Sequence, residues 1–355
     1  MKTKKIRVGV VFGGKSSEHS ISCISASGVL ANIDREKYEV IAIGITKSGV
    51  WRKVSDNPDH WRKRENSMPE VKEPVVKRFW NTQLSAKLEP GGLDVDVVFP
   101  VLHGLNGEDG TIQGMLEMLG TPYVGCKVMS SAMCQDKHFA KAVLRDAGVN
   151  VVDSVTIKMG VRNGKLPKDF KVPEPVQKRI IELSDNWKHP IFVKPCRAGS
   201  SVGVSKVLKE RDLRRALEKA AIVDEKVLVE RGVDAREIEC AMFKGKPSTL
   251  GEIIAQGFYD YNSKYINNKT KLVVDPVMDP ESKRKLQETA KTVYDALDLQ
   301  TISRVDMFLT SSGQIFVNEV NTMPGFTPIS MYPTLLEHDG VPYSALIDEL
   351  IQSAL

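Results

Sequence analysis

The hydrophobic pattern of this chain changes period several times, and each change marks an element. Residues 6–12 (IRVGVVF), 38–45 (YEVIAIGI) and 95–101 (VDVVFPV) are near-continuous apolar runs rich in β-branched residues. Such runs mark parallel strands covered on both faces. Gly13 and Gly14 end the first, and a helix-like segment follows to about Asn32. Strand, glycine turn and helix make the first unit of a doubly wound sheet. A short helix over 112–119 and a strand-like TPYV at 121–124 close this part. Next come one helix from about 130 to 148, a strand over 190–194, a helix over 210–221, and strand patterns at 226–230, 236–243 and 251–254. An amphipathic helix at 281–297 precedes the runs 305–309 (VDMFL) and 315–320 (IFVNEV), which flank a Ser-Ser-Gly turn and read as a hairpin. Helix-forming segments fill 332–355. Residues 52–90 are polar and read as an irregular insertion, and 160–185 are polar with several prolines. FYDYNSKYINN at 258–268 is aromatic and polar without an apolar period, the composition of an active-site lid.

Composition narrows the picture. A chain of 355 residues exceeds one ordinary core, so two or three domains are expected. Hydrophobic content of 41% and charged content of 27% fit a soluble globular protein, and a net charge of +5 does not point to nucleic acid. The basic start (Lys2, Lys4, Lys5, Arg7) leads straight into a strand rather than a signal-peptide h-region, and no apolar run is long enough to span a membrane. The 5 cysteines are odd in number and form no CxxC pair, which fits free thiols in a reducing cytoplasm. A cytoplasmic location is the expectation.

Candidate chemistry gathers on the hairpin. Side chains alternate along a strand, so Asp306 and Glu319 can project from paired strands toward one point, with Asn321 on the face of Glu319 and Arg304 on that of Asp306. These are hard oxygen donors of the kind Mg²⁺ or Mn²⁺ accepts together with phosphate. The competing reading is a surface hairpin with ordinary charges. The first glycine turn lacks the third glycine of a dinucleotide fingerprint and suits a small anionic or zwitterionic ligand near a helix N-terminus. There Glu18 is either a site residue or a capping charge. The loop HGLNGEDGTIQG (103–114) follows a strand end, where binding loops of open sheets lie, and His103 is a site contact or a satisfied structural histidine. Lys194 precedes PCRAGSSVGVSKV, a loop of small residues that exposes N–H groups and hydroxyls to phosphate, or else a flexible Ser/Gly hairpin. It is not a Walker A loop, because the lysine precedes the glycines. Glu230 ends one strand, and Glu237 and Glu239 share a face of the next.

Taken in order, GGKSSEH, HGLNGEDGTIQG, DKHFAK, VKPCRAGSSVGVSKV, VERGVDAREIE, FYDYNSKY and RVDMFL…VNEVNTMPGFTPIS resemble the ATP-grasp superfamily, and within it the D-alanine–D-alanine ligases. The resemblance implies an α/β ATP-grasp fold with an N-terminal Rossmann-like (pre-ATP-grasp) domain. Its domains would be 1–129, a central lobe at 130–226 and a C-terminal lobe at 227–355. It implies ATP-dependent ligation of two D-alanines through a D-alanyl phosphate, for peptidoglycan precursors, in a cytoplasmic homodimer. By the same resemblance Asp306, Glu319 and Asn321 hold two Mg²⁺ ions or Mn²⁺, Lys137 and Lys194 the phosphates, Glu230 the adenine amino group and Glu237 the ribose. Phe258 lies against the adenine, and Arg304 with the N–H of Gly325 faces the oxyanion. Glu18 and His103 hold the first D-alanine; Ser330 and Met331 flank the carboxylate of the second. Lys264 and Tyr265 form the lid pair, and Glu18, Ser200 and Tyr265 a hydrogen-bonded triad.

Related ligases making D-alanyl-D-lactate lack the lid tyrosine, so Tyr265 favours an amine acceptor; D-lactate or D-serine is the alternative acceptor. Ser20, Cys196 and Ala198 depart from common family residues, and Cys196, next to Arg197, is expected to be oxidation-sensitive. A regulator that had lost catalysis would have lost Arg304, Asp306, Glu319 or Asn321, and all are present.

Overall fold

The computed structural model describes residues 4–65, 67–73, 94–160, 166–167, 169–255, 270–327 and 329–355. The buried apolar runs near the start become β1 (Ile6–Gly13), β2 (Tyr38–Ile45) and β4 (Val97–Val101), with the short β3 (Trp51–Lys53) at one edge. Their order is β3-β2-β1-β4. β1 runs parallel to both neighbours, so its central residues are covered on both faces. Helix α1 (His19–Asn32) packs on this sheet, and α2 (Thr111–Met118) follows β4. TPYV is not a strand. It makes one parallel bridge, Val98 to Tyr123, beside Pro122, which has no N–H to extend a ladder.

The single helix expected over 130–148 is two: α3 (Val128–Gln135) and α4 (Lys137–Asp146). Asp136 between them is extended (φ −95°, ψ 100°) and accepts the His138 N–H at 3.1 Å and the Phe139 N–H at 3.4 Å. An aspartate at this position competes for the backbone as an N-cap, and Lys226 at 2.9 Å holds it there.

The second sheet, β5-β8-β6-β7, consists of β5 (Ser154–Lys158), β6 (Ile191–Pro195), β7 (Ser205–Val207) and β8 (Lys226–Arg231). Helices α5 (Glu174–Leu183) and α6 (Glu210–Ala221) cover it. Both β5 and α5 fall in stretches the hydrophobic pattern left unassigned. The buried Ile180 and Leu183 supply the helical period of α5, but its prolines sit at the start, where they terminate nothing.

The third sheet, β11-β10-β9-β12-β13, is antiparallel throughout. Its strands are β9 (Ala235–Phe243), β10 (Lys246–Ala255), β11 (Thr270–Val274), β12 (Ile302–Thr310) and β13 (Ile315–Asn321). Helix α7 (Pro280–Ala296), capped by Asp279 on the Ser282 N–H at 2.8 Å, packs on it. The last helices, α8 (Met331–His338) and α9 (Tyr343–Gln352), bury Leu335, Leu346, Ile347 and Leu350 in one cluster with Val8, Val29 and Leu30 of the first sheet and α1. Tyr38 donates to Asp348 at 2.6 Å on the same seam.

Two tests follow from the β1 end. Gly13 has φ +93°, and a Cβ there would collide with the carbonyl oxygen of Ile45. Gly148 also has a positive φ, but a Cβ there meets nothing within 4 Å. Gly13→Ala should therefore cost about 2 kcal/mol or more in urea unfolding, and Gly148→Ala about 1 kcal/mol. His19 is buried, with Nδ1 2.7 Å from the Gly14 carbonyl and Nε2 accepting the Val71 N–H at 2.9 Å. Burial holds its pKa below the ordinary 6.5. A folded pKa below the unfolded one means stability is intact above pH 6.5 and falls as pH drops below it. Removing the imidazole in His19→Gln should flatten that part of the stability–pH curve.

Candidate active site

A cleft of about 480 Å³ opens between the second and third sheets, lined by Lys137, Lys194, Glu230, Glu237, Asp306 and Glu319 among others. Its floor is a row of acids. Asp306 on β12 stands in register with Glu239 on β9 and with Glu319 on β13, and a register shift follows it. Alternation thus delivers carboxylates from adjacent strands to one face, as the hairpin pattern implies. Arg304 donates Nε and Nη2 to the two Asp306 oxygens, each at 2.7 Å, and Nε lies 3.2 Å from Glu239. Asn321 donates to Asp306 at 3.0 Å. Lys137, at the start of α4, reaches Glu319 at 3.2 Å and the Ala198 carbonyl at 2.9 Å.

The opposite wall is built the same way. Glu230, 3% exposed, pairs with Lys194 from β6 and, at 2.6 Å, with Lys141 from α4. Lys194 also lies 3.3 Å from Asn318. Burial alone would raise Glu230, but the two lysines hold it below the usual carboxylate range. Burial would lower Arg304 and Lys137; Asp306 and Glu239 push the first up, and Glu319 the second. The cleft is therefore a set of charges already matched in pairs. The phosphate-loop candidate has Ser200 and Ser201 in the left-handed region (φ 51° and 56°), and its turn is closed by the Val202 N–H on the Gly199 carbonyl at 3.1 Å.

Beyond this loop lies the first sheet's contribution. Glu18 opens α1, yet its side chain makes no capping bond. Its carboxylate accepts from the Ser200 hydroxyl instead, joining the glycine turn to the phosphate loop. Gly104 (φ +72°) passes so close that a Cβ there would lie 2.7 Å from Glu18 Oε2. His103 uses both ring nitrogens on protein, Nε2 with the Ser25 hydroxyl at 2.9 Å and Nδ1 with the Met323 carbonyl at 3.1 Å. The Ser330 hydroxyl accepts the Thr327 N–H at 3.0 Å. Gly325 lies beside it, since a Cβ on Gly325 would come 3.0 Å from Ser330 Oγ. The Met331 side chain is buried under Gly251, so it offers a ligand only main-chain groups at the start of α8. Phe258, Lys264 and Tyr265 lie outside the described residues.

Sequence reasoning left out Lys141, whose signal is its position one helical turn after Lys137 in DKHFAK, and Asn318. It noted Glu239 but gave it no partner. The expected reactivity of Cys196 is overturned. The thiol is buried and pushed up to about 12 by burial, and Arg197 is engaged elsewhere, with Nε 3.1 Å and Nη2 2.5 Å from Asp224.

Two facing sheets with lysines and carboxylates converging between them define an ATP-grasp enzyme, and solved structures with this fold superpose on nearly the whole chain. Residues 7–126 match the family profile of the D-ala D-ala ligase N-terminus and residues 143–352 that of its C-terminus. The chain belongs to the D-alanine–D-alanine ligase family. A protein named D-alanine–D-alanine ligase from Caldicellulosiruptor bescii is 42% identical over 99% of this chain and 95% of its own length. The VanG D-Ala:D-Ser ligase of Enterococcus faecalis superposes with a TM-score of 0.78 at 36% identity, covering 99% of this chain and 100% of that one. A D-alanine–D-alanine ligase of Bacillus anthracis in complex with ATP superposes with a TM-score of 0.72 at 28% identity, covering 98% and 97%.

All the cysteines are buried, and burial raises the thiols of Cys23, Cys126, Cys134, Cys196 and Cys240 alike. Iodoacetamide at pH 7 should label none of them in the folded protein and all of them in urea, counted by intact mass. Rapid labelling of Cys196 in the native state would contradict the structure.

Proposed function

We propose that this enzyme joins two molecules of D-alanine at the expense of ATP, releasing ADP and phosphate, in the cytoplasm as a step toward peptidoglycan. The observation that carries the reading is the charge pairing of the cleft. Each carboxylate suited to a metal is held by a cation suited to phosphate: Asp306 by Arg304 and Glu319 by Lys137. A nucleotide with its Mg²⁺ brings both signs at once, so the pairs exchange partners without stranding a buried charge.

Asp306, Glu319 and Asn321 fit Mg²⁺ or Mn²⁺, which prefer one or two carboxylates and complete their shell with water and phosphate oxygens. When bound, the metal supplies charge neutralisation at the phosphates. In this reading Lys137 and Lys194 hold the phosphates, Glu230 accepts from the adenine amino group, Glu237 holds the ribose, and Phe258 stacks on the base.

Glu18 takes the ammonium of the first D-alanine, and the carboxylate of that D-alanine attacks the γ-phosphorus as the bond to ADP breaks. The neutral amine of the second D-alanine then attacks the acyl carbon, the C–O bond to phosphate breaks, and the proton lost by the amine leaves with the phosphate. Arg304 and the Gly325 N–H face the oxyanion that forms in this step. The second carboxylate lies at the N-terminus of α8, near Ser330 and the Met331 main chain. On family grounds we assign Lys264 and Tyr265, which lie outside the described residues, to a lid pair and Tyr265 to a triad with Glu18 and Ser200, a role that would keep water from the acyl phosphate. We assign three domains, 1–129, 130–226 and 227–355, and a homodimer, on the same family grounds.

The similarity to a D-Ala:D-Ser ligase supports a second reading in which the acceptor is D-serine, with D-lactate as a further alternative. One assay separates these. Phosphate release from Mg·ATP is measured with D-alanine alone or with D-serine or D-lactate added, and products are identified by mass. D-Ala–D-Ala as sole product at neutral pH is expected. A D-Ala–D-Ser or depsipeptide product would replace the acceptor assignment, and no D-alanine-dependent release would overturn the reading.

A further inference from the structure

The turn that carries the proposed oxyanion donor has an unusual anchor. Met323 precedes Pro324 and Gly325, and both polar groups of its main chain are taken by side chains of the 103–114 loop. Its carbonyl lies 3.1 Å from His103 Nδ1, and its N–H donates to Glu108 Oε1 at 3.2 Å. The other Glu108 oxygen accepts the Gly104 N–H at 2.7 Å, so one carboxylate spans the two segments. A carbonyl can only accept, which assigns the proton to His103 Nδ1 and makes Nε2 the acceptor for Ser25 at 2.9 Å. Both ring nitrogens are then committed to protein. Pro324 has no N–H, so between Asn321 and Gly325 the chain is located largely by what holds Thr322 and Met323.

We propose that His103 and Glu108 are positioning residues that clamp the Met323 peptide groups from both sides and thereby place the Gly325 N–H, rather than His103 binding the first D-alanine. This rests on the ligase reading above for the role of Gly325. The physical case is that a main-chain donor aimed at a developing oxyanion contributes only if it is held in place before reaction, and an ångström of misplacement costs on the order of 100-fold in rate. Glu108, half-buried, holds both segments at once, because its two oxygens accept from the Gly104 and Met323 N–H groups.

The test uses the full-length protein and the variants His103→Ala, His103→Asn, Glu108→Ala and Glu108→Gln. Two quantities are read: steady-state kcat and KM for the first D-alanine, and hydrogen–deuterium exchange of the peptide spanning Val320 to Phe326. Clamping predicts that Glu108→Ala speeds exchange of the Met323 amide by about tenfold. It also predicts that both alanine variants lose kcat by about 10- to 100-fold, with KM for the first D-alanine little changed. His103→Asn, whose amide nitrogen can reach the place of Nδ1, should recover most of the loss. Glu108→Gln, one acceptor for two N–H groups, should fall between wild type and Glu108→Ala, and it decides the matter if the alanine variants do not fold. A rise in KM with kcat and exchange unchanged would mean direct substrate contact and overturn the proposal. If wild type shows no D-alanine-dependent turnover, the ligase reading fails, and unaltered exchange in the Glu108 variants would still sink the clamp by itself.

Discussion

The structure depends on charge neutralisation in a place where water is scarce. An ion taken out of water loses solvation that only a well-placed partner restores, and an orphaned one costs several kcal/mol. Glu230, Glu239, Asp306 and Glu319 in the cleft each have a cation within 4 Å. Glu230 has two lysines, Glu319 has Lys137, and Asp306 has the full fork of Arg304. The sheets supply these groups from independent elements. The acids ride on β9, β12, β13 and β8, and the lysines on α4 and β6. Lys137 and Glu319 join α4 to the third sheet, whereas Arg304 pairs with Asp306 along one strand and Lys194 with Glu230 between neighbouring strands of the second sheet.

The same logic extends to the first sheet. Glu18 is joined to Ser200 in the phosphate loop, and the 103–108 loop grips Met323. Local conformation makes these contacts possible. A positive φ at Gly104 lets the chain pass against the Glu18 carboxylate, and left-handed Ser200 and Ser201 turn the phosphate loop back on itself. The residues that give the site its chemistry sit in segments held by long-range polar bonds. The apolar cores lie behind them in the sheets and supply rigidity.

Much of this was legible because period-two alternation is a strong signal. Asp306, Glu319 and Asn321 were placed on one face of a hairpin from spacing alone, and the register bears that placement out. The buried strands of the first sheet were legible for the opposite reason, as unbroken apolar runs. The failures have definite causes. The helix at 130–148 hid a break because Asp136 is compatible with a helix in isolation, and it becomes a cap only when Lys226, 90 residues on, is in place. Helix α5 was masked by prolines that fall at its permitted positions. Cys196 was judged by its neighbour in sequence, whereas Arg197 turns to Asp224 and burial, ahead of the nearby charges, raises the thiol. For His103 the sequence left a site contact and a structural histidine both open, because no pattern reveals that Ser25 and Met323 lie against its two nitrogens.

The seam between α9 and the first sheet has a consequence for how the protein is made. Leu346, Ile347 and Leu350 close the same core that Val8, Val29 and Leu30 begin. While the chain is being synthesised, the first sheet and α1 emerge with that part of their apolar face bare, and it stays so until residues 346–350 have been translated. The first structure to form is therefore the last to be completed. Its exposed face in the interim is where a holding chaperone would act and where a truncated product would aggregate.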